Sequence, residues 1–182
     1  DRLLYGCTQF RSAHSLGCPD DFIVLTNHAA EYADPFVNDG LYHNSPMLPW
    51  ALENDGACSW SVLDSRIEAG DLSPQERDVL DFNRRHDVTA GYSISFKSIR
   101  PRMKAAIALT ARLGMTQADV DALWRREGDA LLALNNIAHH CILSLPYVEK
   151  HLRLARRALA VETTAQAILK AAFQNQIYVM TA

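Results

Sequence analysis

Apolar and small polar side chains alternate with a period of two over residues 90–96 (AGYSISF), which predicts a half-buried strand. Residues 103–111 (MKAAIALTA) fit strand or helix by pattern alone. Their place after the basic stretch 97–104 makes them the hairpin partner of the preceding strand. Residues 2–10 (RLLYGCTQF) predict a strand at the start of the chain. A shorter strand, 22–25, follows a turn at residues 17–20 (GCPD).

Over residues 27–37 the period becomes helical. Tyr32 and Phe36 stand four apart on one face, and Pro35 forces an irregular turn. Residues 46–54 predict a short helix. Ser73-Pro74-Gln75-Glu76 is a capping box with proline at the first helical position, and it opens a helix to about His86 carrying Val79, Leu80 and Phe82. Thr116-Gln117-Ala118-Asp119 opens a long helix. Its expected apolar face is Leu123, Leu131, Leu134, Ile137, Ala138 and Ile142, and its expected end is Pro146. Residues 148–170 read as two amphipathic helices with a break at Val161-Glu162-Thr163. Strands, helices, a strand pair and a long helix in that order predict an α+β domain, an antiparallel sheet sandwiched by helices.

The 182 residues, 48% hydrophobic and 21% charged, suit one such domain with an extension. The formal net charge of -3 is divided unevenly, because residues 147–182 carry a net +3 and the remainder about -6. A basic tail on an acidic body fits a phosphate-binding end, and equally a solvated helix face. Four cysteines, Cys7, Cys18, Cys58 and Cys141, form no C-x-x-C pair, which argues against a zinc ribbon. The absence of a long apolar run predicts no membrane span, and the cytoplasm is the expected location. The chain opens on Asp1 rather than Met, so a preceding piece is expected.

No constellation points to catalysis or metal binding. His139 and His140 are adjacent on a helix and point about 100° apart, which suits a shared ion poorly. Ser59, Ser61 and Ser65 lie in no G-x-S-x-G context, and there is no glycine-rich phosphate loop. Asp34, Asp39, Glu53 and Asp55 read as solvated loop charges. The expectation is no enzyme, no catalytic residue and no metal.

The tail, with Val148 and His151 in a V-x-x-H pattern, resembles the end of the DNA-binding domain of LuxR-type quorum-sensing regulators. The body resembles their autoinducer-binding domain. In that family a tryptophan, a tyrosine four residues later, an aspartate before proline and a second tryptophan hold a lactone head group. Here Tyr32 and Phe36 fall at the first two positions. Ser45, in Ser45-Pro46, replaces the aspartate, and Trp60 matches the second tryptophan. Gly91 matches a glycine that opens a later strand, and Ser93 falls where a small hydroxyl contacts the start of the acyl chain.

The resemblance implies a ligand-binding domain over residues 1–146 and part of a helix-turn-helix over 147–182. Tyr32, Phe36, Ser45, Trp60 and Ser93 would contact ligand, and Val148, Lys150, His151 and Arg153 would contact DNA. It implies no cofactor beyond a small-molecule signal, an acyl-homoserine lactone or a related amphiphile, and it implies a cytoplasmic homodimer that binds DNA and no membrane. A neutral Ser45 in place of a carboxylate costs about 1 kcal/mol in such a bond.

The family's DNA-binding unit has four helices, and the match here begins in the third. Two functions follow. One is a DNA-binding regulator whose whole protein contains the missing helices. The other is a truncated ligand-binding and pairing module that modulates full-length relatives.

Overall fold

In a computed structural model of the chain the described residues are 1–8, 22–98, 102–163, 166–167 and 170; within the long C-terminal helix the side chains of 144–152, 154 and 155 are not described. The contacts divide the chain into two compact units, Asp1–Ala133 and Leu134–Ala182.

The first unit is built on five antiparallel strands: β1 (Arg2–Thr8), β2 (Ile23–Thr26), β3 (Gly56–Ser59), β4 (Gly91–Phe96) and β5 (Lys104–Thr110), in the order β2-β1-β5-β4-β3. The β4–β5 hairpin has the expected pairing, with Ser93 opposite Ala108 and Ser95 opposite Ala106. β1 joins the other edge of β5 and pairs Leu4 with Ala108 and Gly6 with Ala106. The predicted turn at residues 17–20 lies outside the described residues, as do residues 9–10 of the first predicted strand.

The two faces of the sheet differ in bulk. One carries Tyr5, Ile94, Phe96 and Ile107, all buried. The other carries Leu4 among Gly6, Ser93, Ser95, Ala106 and Ala108, and most of these side chains are too small to fill the space beneath a layer of helices. Protein interiors are otherwise close-packed, so a floor of this kind leaves room above it.

The layer above that floor comprises α1 (Ala30–Ala33), a π-turn at Asp34–Asn38, a 3-10 turn at Leu41–Asn44 and α2 (Leu48–Glu53). Beyond β3 come a second 3-10 turn, Trp60–Leu63, then α3 (Asp64–Glu68) and α4 (Pro74–Arg85). Pro35 sits at the second position of the π-turn, where the chain leaves the α-helical path as expected. The Ser73 capping box is formed in both directions, and Ser73 Oγ accepts from the Glu76 N–H at 3.1 Å. A cap of this type contributes about 1 kcal/mol. Val79 and Phe82 of α4 bury against Tyr32 and Phe36.

α5 (Gln117–Ala158) begins where expected, with Asp119 Oδ2 accepting from both the N–H and the hydroxyl of Thr116. Trp124 stacks on Tyr92 at 4.0 Å, which places the first turns of α5 on the bulky face and completes the sandwich. The indole folds over Gly128, where a Cβ would come within 2.6 Å of it.

Three expectations for this helix fail. Pro146 does not end it, and the separate helix expected from Val148 is continuous with α5. Proline removes one backbone bond but is the only breaker present, for residues 137–158 contain no Gly, Asn or Asp. Leu134 and Ile137 do not form a buried stripe either; they are 62% and 63% exposed, and His139 is the buried side chain of that segment.

The break at Val161-Glu162-Thr163 falls where expected. Ala160 adopts a left-handed φ of 49°, and the Val161 N–H bonds the Arg156 carbonyl at 3.0 Å, closing α5 with a Schellman cap. Thr163 and Gln166 then cap each other reciprocally, and residues 166, 167 and 170 are helical.

Candidate functional site

The space above the small-residue floor forms two adjoining cavities of about 180 Å³ each. Tyr32, Phe36, Ser45, Trp60 and Ser93 all line the first, so the five positions singled out from sequence converge on one wall system. They come from α1, the π-turn, the cap of the first 3-10 turn, the second 3-10 turn and β4, stretches spread over residues 32–93.

Tyr32 is 5% exposed and stands in a stack of rings, with His28 at 4.4 Å, Phe36 at 5.1 Å and Phe82 at 5.3 Å between centroids. Its hydroxyl donates to Asn83 Oδ1 at 3.1 Å, and burial pushes its pKa up. Trp60 opens the 3-10 turn after β3, with Ser59 as its N-cap. The indole N–H donates to Ser93 Oγ at 3.0 Å. The ring lies so close to β4 that a Cβ at Gly91 would meet it at 2.8 Å. Both aromatic hydrogen-bond donors are thus directed at protein acceptors. Ser45, which closes the 3-10 turn, presents a hydroxyl that no described residue bonds.

The second cavity is bounded largely by apolar side chains, among them Val24, Val37, Leu48 and Leu52. Leu4, Phe36, Ser45, Met47, Ser93 and Ala108 border both cavities, so the two hydroxyls of Ser45 and Ser93 stand at the neck. A more polar compartment, a neck with two hydroxyls and a largely apolar compartment in series suit an uncharged amphiphile.

Residues 1–142 match the model of the autoinducer binding domain. The chain belongs to the autoinducer-binding domain family. Among solved structures it is similar to the N-acylhomoserine lactone dependent LuxR family transcription factor CepR2 from Burkholderia cenocepacia. That likeness has a TM-score of 0.55 and 17% identity over 76% of this chain and 71% of CepR2, and it bears on the fold. Escherichia coli SdiA matches with a TM-score of 0.42 and 14% identity over 97% of this chain and 85% of SdiA. No curated protein matches.

Three further residues of this autoinducer-binding domain shape the cavity without having stood out in the sequence. Asn83 anchors Tyr32. Gln117 brackets Gly91, accepting from its N–H at 2.9 Å and donating to its carbonyl at 3.1 Å, and also reaches Ser59 Oγ and Asp121 Oδ1, each at 2.9 Å. This ties the start of α5 to the cavity's rim.

His28 is the third, four residues before Tyr32 and 8% exposed. Burial above all, with Arg2 and His86 adding to it, lowers its pKa to about 4, so the ring is neutral near pH 7. The unfolded chain takes up this proton near pH 6.5 and the folded one only near 4. The unfolded state therefore binds more protons between these values, and stability falls as pH drops through that window. His139, also held near 4 by burial, adds to the same trend. Melting temperature is expected to decline from pH 6.5 to 4.5, and less steeply in His28→Phe, which keeps the stacking ring. Equal slopes in the two proteins would show that His28 is not the group responsible.

Of the predicted DNA-contacting residues, Arg153 is exposed on α5. Val148, Lys150 and His151 lie in the same helix with side chains outside the described set. Among the described residues no three His, Cys, Asp or Glu side chains group to hold a metal, and no helix is long and apolar enough to cross a membrane.

Proposed function

We propose that this chain is the signal-sensing part of a LuxR-type transcriptional regulator. It binds an acyl-homoserine lactone or a related small amphiphile through Tyr32, Phe36, Ser45, Trp60 and Ser93. The observation that carries this reading is the junction, at Ser45 and Ser93, of a cavity edged with polar groups and a largely apolar one, in a domain of the autoinducer-binding family. In the whole protein, residues 147–182 act as the recognition and pairing helices of a helix-turn-helix, a homodimer binds DNA, and Val148, Lys150, His151 and Arg153 touch the duplex. Signal binding stabilises the fold and biases the dimer toward or away from its operator.

A second reading is favoured by the continuity of α5 through Pro146, which leaves residues 147–158 without a bracing helix before them. On that reading the chain senses the signal and pairs with full-length relatives without binding DNA itself.

The test is two measurements on the whole protein from its host. Saturating N-octanoyl-homoserine lactone, at about 100 times its dissociation constant, should stabilise by about 2.7 kcal/mol and raise the melting temperature by about 5–10 °C. Binding to a pool of two-fold symmetric duplexes should weaken steeply with salt, and Arg153→Ala should lower the salt slope by about 1. A lactone shift without duplex binding at low salt selects the second reading. No shift with octanoyl or longer-chain lactones would sink the lactone class.

A further inference from the structure

The second cavity ends on a residue that an apolar compartment does not call for. Along β5 the floor runs from Thr110, in the first cavity, through Ala108 at the neck to Ala106 and Lys104 in the second. Lys104 is the first residue of β5 and pairs with Thr8, the last residue of β1. It is only 6% exposed. Its ammonium donates to the Asn54 carbonyl at 2.7 Å and to Asp55 Oδ1 at 2.8 Å. Asn54 caps the C-terminus of α2, and Asp55, whose side chain is 54% exposed, leads into β3. The ammonium is thus fixed at the turn between α2 and β3, and the methylene stem that joins it to β5 runs along the cavity that Lys104 lines. Long cationic side chains distribute themselves in this way when apolar surface lies along their path.

We propose that Lys104 is the specificity-determining residue that sets how long an apolar chain the second cavity accepts. Its stem closes the end of the floor, and its tether to Asn54 and Asp55 holds that closure in place. A ligand chain that reaches the stem gains burial with each methylene up to that point. A longer one must displace a buried lysine, separate its ion pair and leave the α2 C-terminal carbonyl unpaired, so its extra methylenes add nothing. This rests on the proposed reading of the two cavities as head and tail compartments. The position of the stop belongs to this chain's own lysine.

The experiment is calorimetric titration of the whole protein, Lys104→Ala and Asp55→Ala with N-octanoyl- and N-dodecanoyl-homoserine lactone. Lys104→Ala should raise the dodecanoyl-to-octanoyl affinity ratio by about tenfold or more. Asp55→Ala alters an exposed side chain and removes one of the two bonds that tether the ammonium, leaving the stem and its bond to the Asn54 carbonyl; it should move the ratio the same way by about threefold. Octanoyl binding with an unchanged ratio in both variants would overturn the proposal while leaving the cavity reading intact. If Lys104→Ala does not fold, the ratio in Asp55→Ala decides alone. If neither lactone binds the unaltered protein, the cavity reading fails and this inference with it.

Discussion

Replacing Gly91 by alanine lowers the melting temperature by about 6–12 °C, the expected consequence of a cost of about 3 kcal/mol in a chain of this size. The position needs glycine for space, not for backbone conformation. A Cβ there would collide with the Leu109 carbonyl oxygen in the neighbouring strand, and with Cη2 and Cζ3 of Trp60 at 2.8 and 2.9 Å. The carbonyl belongs to a paired strand and cannot give way. The indole can move only by loosening its bond to Ser93. The same residue is clasped through its N–H and its carbonyl by Gln117, so a shift of β4 would also disturb the start of α5. Gly6→Ala is the matched control, because nothing lies within 4 Å of a Cβ placed there. It should melt within about 2 °C of the unaltered protein. Equal melting of the two variants would mean that Trp60 does not rest on β4.

What the sequence disclosed and what it hid follow from the range of the interactions involved. Alternation over residues 90–96 and the reciprocal cap at Ser73 and Glu76 are local, and both appear in the structure where the pattern puts them. β3 spans only Gly56–Ser59, with no alternation long enough to read, and exists because β4 offers it an edge. α5 runs on through Pro146, where the sequence suggests a stop, because no other breaker accompanies that proline. The exposed Leu134 and Ile137 show that a helical period marks a face without saying that anything covers it.

At the site, Tyr32, Phe36, Ser45, Trp60 and Ser93 are legible only through the family resemblance, and the fold brings them to one cavity. Asn83 and Gln117 escaped because each depends on a partner far away in sequence: Asn83 lies 51 residues from Tyr32, and Gln117 lies 26 from Gly91. The small-residue floor was equally hidden. Gly6, Ala106 and Ala108 look unremarkable until pairing sets them side by side beneath the helices.

Trp60→Ala is expected to abolish the ligand-induced rise in melting temperature while the protein still folds. Trp60 is half-buried, so its removal opens the cavity rather than excavating the core. The unliganded protein should lose about 2 kcal/mol, from one hydrogen bond and part of the ring's buried area. The loss for the ligand is larger in proportion. The indole forms a wall of the polar compartment, and its N–H holds the Ser93 hydroxyl at the neck. Without it the compartment is wider and Ser93 turns freely, so a bound head group loses both its contact surface and an oriented partner. The stabilisation of about 5–10 °C expected at saturating N-octanoyl-homoserine lactone should fall below about 2 °C. Trp60→Phe separates the two contributions, since it keeps an aromatic wall and removes only the N–H. It should retain roughly half of the shift. A full shift in Trp60→Ala would place the ligand elsewhere than in the first cavity. A full shift in Trp60→Phe alone would assign the role to the ring and none to its bond with Ser93.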